Sequence, residues 1–198
     1  MKKVLILSLI VVLVVASFAV AGIRNSKHDL SSSGGQATRS NNDQLCVYCH
    51  TPHASNASFV AAPLWNRNNN ATVWVNNAAY TSTTLNSTTA STPATAGAIS
   101  RACLSCHDGN VGDETLTNGP GSGAGVALTW TNGVLNSIYT NLNDPTGLQN
   151  DHPIGVQMGA GLGDPEVYTA PTIVGLRLVG GVVECSTCHD VHNPGTTT

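Results

Sequence analysis

The chain has one segment that is apolar almost without interruption. From Val4 to about Ala16 every position except Ser8 is hydrophobic, Lys2 and Lys3 precede the run, and Ala19-Val20-Ala21 follows it. Basic start, apolar middle and small-x-small end predict a secretory signal peptide over residues 1–21, cleaved before Gly22. The alternative is an uncleaved anchor helix, since the run approaches the length that spans a bilayer. Position 22 is not a cysteine, which argues against a lipid anchor. No second apolar run is long enough to cross a membrane, so residues 22–198 are expected to form a single domain without a membrane span, exported to the periplasm or beyond the cell.

Past Gly22 the pattern thins. Long stretches rich in Thr, Asn, Ser, Ala and Gly read as turns and short strands. Residues 81–96 hold ten Ser or Thr among sixteen and predict an exposed polar loop with some strand, with an O-glycosylated tract as the alternative. Ala96 to His107 suits a short helix. Thr172 to Glu184 alternates apolar residues around Gly180-Gly181 and predicts a hairpin. Thr129 to Asn141 fits helix or strand equally. Aromatic residues are few: three Trp and two Phe, one of the latter inside the leader. A domain of this size ordinarily buries about 68–70% of its unfolded surface. These side chains look thin for that, so a bound group is expected to complete the core and the chain without it to be largely unfolded.

Charge narrows the partners. Removal of residues 1–21 leaves six Lys and Arg against eleven Asp and Glu, a net of −5. Such a surface repels nucleic acid and carries no polybasic membrane patch.

The cysteines then name the bound group. All six fall in Cys-x-x-Cys pairs, and a histidine follows each pair at once: Cys46 and Cys49 with His50, Cys103 and Cys106 with His107, Cys185 and Cys188 with His189. In this pattern the thiols form thioethers with the vinyl groups of haem, and the histidine gives iron one axial nitrogen. Three disulfides would explain the even cysteine count of an exported chain but not a histidine after every pair. A structural zinc protein could use the same residue types but does not require that placement. Three covalent haem c groups are therefore expected. The fold class that follows is an irregular multihaem cytochrome c, low in secondary structure, with short helices at the motifs, short β-hairpins and a core built around the haems.

The motif histidines fill one axial position per iron. Met158 is the only methionine past the leader, whereas four histidines are spare: His28, His53, His152 and His192. They suffice for bis-His ligation of three irons with one left over. His53 follows His50 by three residues and His192 follows His189 by three, a spacing that places both on one side of a helical turn. Neither can reach the far face of its own haem, so each is aimed at a different one. His152 precedes Pro153, which favours an extended presentation. His28 lies near the start of the exported chain, where an iron bond would tie down a terminus, within the chain or across to a neighbouring subunit. Arg101 is placed either to pair with a propionate or to lie solvated on the surface, and Trp65, Trp74 and Trp130 are expected in ordinary packing, with packing on porphyrin faces as the alternative.

Lys27-His28-Asp29-Leu30-Ser31, CVYCHTPH over residues 46–53, PLWNR over 63–67, CLSCHDG from Cys103, DHPIG from Asp151 and CSTCHDVH from Cys185 together resemble the doubled-CxxCH multihaem cytochromes of metal-reducing and related bacteria. The resemblance spans most of the exported chain. It implies close-packed bis-His haems, a periplasmic or extracellular location and respiratory electron transfer to redox partner proteins or extracellular acceptors. Some of those relatives polymerise into filaments in which one subunit ligates a haem of the next, so a homopolymer is a further expectation; the filament formers carry four or more haems, this chain three motifs.

The leading expectation is an electron carrier rather than an enzyme. Two alternatives differ in one observable each. A haem enzyme reducing a small oxyanion would have one open iron and a high-spin signal, and a filament subunit would assemble.

Overall fold

The longest regular element coincides with the second Cys-x-x-Cys-His motif. The structure is a computed structural model that describes residues 22–37, 39–60, 62–67, 80, 96–107, 116–120, 129–130, 147–149, 151, 153–158 and 177–193. The leader, Trp74, His152 and nearly all of the 81–96 and 129–141 segments lie outside the described residues. Helix α1 spans Ala98–His107, two residues shorter at its start than the sequence pattern suggests. Alanine, leucine and arginine favour this conformation. Its buried positions are Ser100, Ala102, Leu104 and Ser105.

That face packs in two directions. Leu104 joins Ala96, Leu148 and Ile154, with Cys185 against them. Ala102 joins Phe59 and Ala62, with Trp65 alongside. A buried leucine contributes roughly 1.5–3 kcal/mol, so each cluster is a modest core. Arg101 lies over the Phe59 ring, 5.6 Å from its centre, and donates to the Ser58 carbonyl at 3.1 Å. Its guanidinium thus packs on the first segment of the chain and is not simply solvated.

The strand content is small. Strand β1, Val156–Gln157, pairs antiparallel with β2, Val182–Val183, in the register Val156 to Val183 and Gln157 to Val182. Gly180 and Gly181 both have positive φ, +61° and +83°, and Val179 and Val182 exchange backbone hydrogen bonds of 3.0 and 3.1 Å across them. Two successive residues at positive φ make the two-residue turn that matches strand twist. The predicted turn is therefore present, but β2 ladders mainly onto β1, a segment the local pattern does not nominate. Residues 172–176 of the expected hairpin lie outside the described set. No helix among the described residues is long and apolar enough to cross a membrane.

One turn after the hairpin comes α2, Cys185–Cys188. Its entry residue, Glu184, is extended and buried. The Glu184 N–H donates to Thr187 Oγ1 at 3.0 Å, closing the first turn. The Glu184 carboxylate reaches the start of α1, accepting from the Gly97 N–H at 3.1 Å and from the Ser100 hydroxyl. Ser100 Oγ in turn accepts from the Cys185 N–H at 3.0 Å. One carboxylate so joins the N-terminal ends of both helices, where negative charge is favourable. A Cβ at position 97 would meet that carboxylate, which would have to move aside and give up its present contacts.

Candidate haem centre

All three motifs fold their backbone the same way. His50 N–H donates to the Cys46 carbonyl at 2.8 Å and His189 N–H to that of Cys185 at 3.0 Å, and the second motif lies within α1. Cysteine and histidine four residues apart on one turn share a face, so each motif offers its first thiol and its imidazole together. The cysteines of the three motifs are not joined to one another by disulfides.

The first motif is braced by the strip Pro63–Arg67. Thr51 N–H donates to Leu64 O at 2.8 Å, and Asn66 N–H to Cys49 O at 2.9 Å. Leu64 has φ +56°, a left-handed backbone that few side-chain-bearing residues adopt. His50 Nδ1 lies 2.8 Å from the Pro63 carbonyl. A carbonyl only accepts, so the proton sits on Nδ1 and the lone pair on Nε2. That is the tautomer and orientation a metal-binding histidine needs. Asn118 Nδ2 donates to the His53 carbonyl at 2.7 Å and pins the CHTPH loop.

The rings meet in pairs. His50 and His192 have centroids 6.0 Å apart with planes 17° from parallel. His28 and His107 are 6.1 Å apart. A metal–imidazole bond is roughly 2 Å, and a ring nitrogen lies about 1 Å from its centroid, so two imidazoles binding one metal from opposite sides have centroids about 6 Å apart. Among the described residues no three His, Cys, Asp or Glu side chains gather as a metal cage. Pairs are what a porphyrin iron requires, since the macrocycle fills its other four positions. His152 lies outside the described residues. The helical side-by-side placement expected for the three-residue spacings is replaced by something else: His189 is extended as the chain leaves α2, and His192 is carried across to His50.

Electrostatics favour a neutral imidazole at His28. Partial enclosure, and then the charges that His107, His189 and His192 would carry, lower the His28 pKa, although the residue keeps an open side to solvent. Enclosure pushes the Cys49 thiol up to about 12; a Cys106 charge adds to this, and the fully buried Arg67 opposes it. A hydrogen bond between the thiols of Cys103 and Cys185 raises Cys103 and lowers Cys185 to about 7. The second and third motifs are therefore in contact through their first cysteines.

Sequence reasoning missed three contributors. Trp65 stands edge-on to His50, 6.1 Å between ring centres, and its buried indole N–H has no acceptor among the described residues. A carboxylate of the bound group would supply one. Arg67 brings a buried positive charge to the first motif. Glu184 clamps the other two motifs. The PLWNR run carries the first two, but only contact shows their use. With paired imidazoles, Cys-x-x-Cys thiol pairs beside them and an indole donor without an acceptor among the described residues, these residues fit haem. Compared with known proteins, the chain matches no family model, and no curated protein is similar to it.

Proposed function

We propose that the chain is a trihaem c-type cytochrome that carries electrons between redox partners outside the cytoplasm. The observation that carries this reading is the first motif. There a Cys-x-x-Cys-His turn presents an imidazole with Nδ1 committed to Pro63 O, and its ring faces a second imidazole 6.0 Å away.

Cys46 and Cys49, Cys103 and Cys106, and Cys185 and Cys188 would hold the three haems through thioethers. His50, His107 and His189 would supply one axial nitrogen each, and His28, His53, His152 and His192 are the reservoir for the second. Haem, when bound, supplies one-electron ferric–ferrous chemistry. The Pro63 carbonyl fixes the His50 tautomer and raises its basicity. Trp65 and Arg67 offer a donor and a positive charge to an anionic substituent. Glu184 and Ser100 hold the second and third motifs at one separation. The acidic surface favours the oxidised state and so depresses the potentials. Two imidazoles per iron leave no position for substrate, so the work of the chain is spacing, ligation and tuning rather than catalysis.

The test is electron paramagnetic resonance on the oxidised protein, produced with haem-maturation machinery and weighed by mass spectrometry. The expected result is three haems per chain and only low-spin ferric signals. A colourless protein containing zinc would sink the reading. A stoichiometric high-spin signal would replace it with an open-site haem reductase.

A further inference from the structure

We propose that axial ligation crosses between motifs: His192 completes the iron of the first motif opposite His50, and His28 completes that of the second opposite His107. This map rests on the cytochrome reading above and deepens it.

Three observations converge on the first pair. The His50 and His192 centroids lie at the separation of two imidazoles sharing a metal, with nearly parallel planes. His50 has its Nδ1 occupied by Pro63, so Nε2 is its free ligating atom. The His192 segment is held in place by its own backbone: His192 N–H donates to Asp190 Oδ1 at 3.0 Å, Asn193 N–H to Asp190 O at 3.2 Å, and Gly22 N–H to His192 O at 3.0 Å. The turn that delivers His192 is thus tied at both sides, and the far end of the chain is brought to the first motif.

The second pair is fixed from the other end. His107 terminates α1. His28 is delivered by a loop organised around the fully buried Asp29, which accepts from Asn25 N–H at 2.8 Å and from Ser31 N–H at 3.2 Å. Ser26 Oγ accepts from the His28 N–H at 3.1 Å. The ring then lies 6.1 Å from that of His107. This placement makes His28 an intrachain ligand on the proposed map. His53 and His152 remain for the iron opposite His189, one more than it needs. Because His189 and His192 are three residues apart, the first and third irons are held by one short turn, although their motifs stand at opposite ends of the sequence.

The experiment replaces His192 by alanine in two backgrounds. In the otherwise intact protein, three haems by mass and one high-spin ferric centre per chain, up from none, are expected. In a chain lacking the first haem through Cys46→Ala and Cys49→Ala, the same substitution should add no high-spin signal. A high-spin centre that persists there assigns His192 to another iron and overturns the map. Should the two-haem chain fail to fold, His192→Met in the intact protein gives the same answer by nuclear magnetic resonance. The ligated methionine methyl should mark the haem whose protons contact the Trp65 ring, and a marked haem without that contact overturns the assignment. A chain that binds no haem at all overturns the cytochrome reading with it, whereas three haems wrongly paired overturn the map alone.

Discussion

Asn66 is fully buried and spends its amide completely. It donates to Val47 O at 2.6 Å and to Asn118 O at 2.8 Å, and accepts from Asn118 N–H at 2.8 Å. Truncation to alanine strands three backbone groups at once, each costing about 1–3 kcal/mol when buried without a partner. Asn66→Ala is therefore expected to lower stability by about 3 kcal/mol or more, read as a shift of the guanidinium midpoint. Asp29 makes a prediction about pH. Burial raises its pKa, but the bonds from Ser31 and Asn25, helped by Arg24, outweigh this and hold it below the ordinary 3.8. A depressed carboxyl stabilises the fold above its unfolded value, and the contribution is lost as pH falls through the folded value. Stability of the native protein should accordingly decline below about pH 4, and Asp29→Asn should remove that part of the decline while costing stability at pH 7. An acid limb of equal slope in both proteins would show that Asp29 is not its source.

Between elements, the decisive contact is the Glu184 carboxylate at the starts of α1 and α2. Glu184→Ala orphans Gly97 N–H and loosens Ser100 from Cys185, an expected loss of about 2–4 kcal/mol in chemical denaturation. Gly97→Ala should also destabilise, because its methyl collides with that same carboxylate. Combined, the two should cost clearly less than the sum of the single effects, since the first substitution removes the obstacle met by the second; strict additivity would mean that the clash is not the cause. These contacts also mark the limit of what is legible in the sequence. The α1 helix, the Gly180-Gly181 turn and the three Cys-x-x-Cys-His turns rest on neighbours within four residues, and their patterns can be read directly. Glu184 meets Gly97 and Ser100 from 87 and 84 residues away, and β2 finds β1 across 25 or more residues, with no local periodicity to announce either. The same holds for the candidate site. Spacing nominates every thiol and imidazole, but which ring faces which depends on loops such as Asp190–Asn193, whose course is set by backbone bonds and not by composition.

On the scale of the molecule, the described apolar core amounts to two clusters on either side of α1, and polar residues fill much of the rest of the interior: Asp29, Ser31, Asn66, Arg67, Ser100 and Ser105 are all fully buried. A protein organised in this way depends on long-range tethers, and one of them joins His50 to His192. If the chain is exported from its N-terminus, residues 46–50 arrive long before residue 192. On the proposed haem reading, the first porphyrin would then be mounted while its second imidazole is still to come, and for that interval its iron would be exposed to dioxygen and other small gases. A chain cut short between the second and third motifs would be trapped in that condition. Such a fragment, ending at Ala170 and loaded with two haems, is expected to take up carbon monoxide at one haem per chain, where the full-length protein takes up none; a fragment indifferent to the gas would show that its irons are already closed. On that reading, premature termination would yield a gas-reactive species and not merely a shorter carrier.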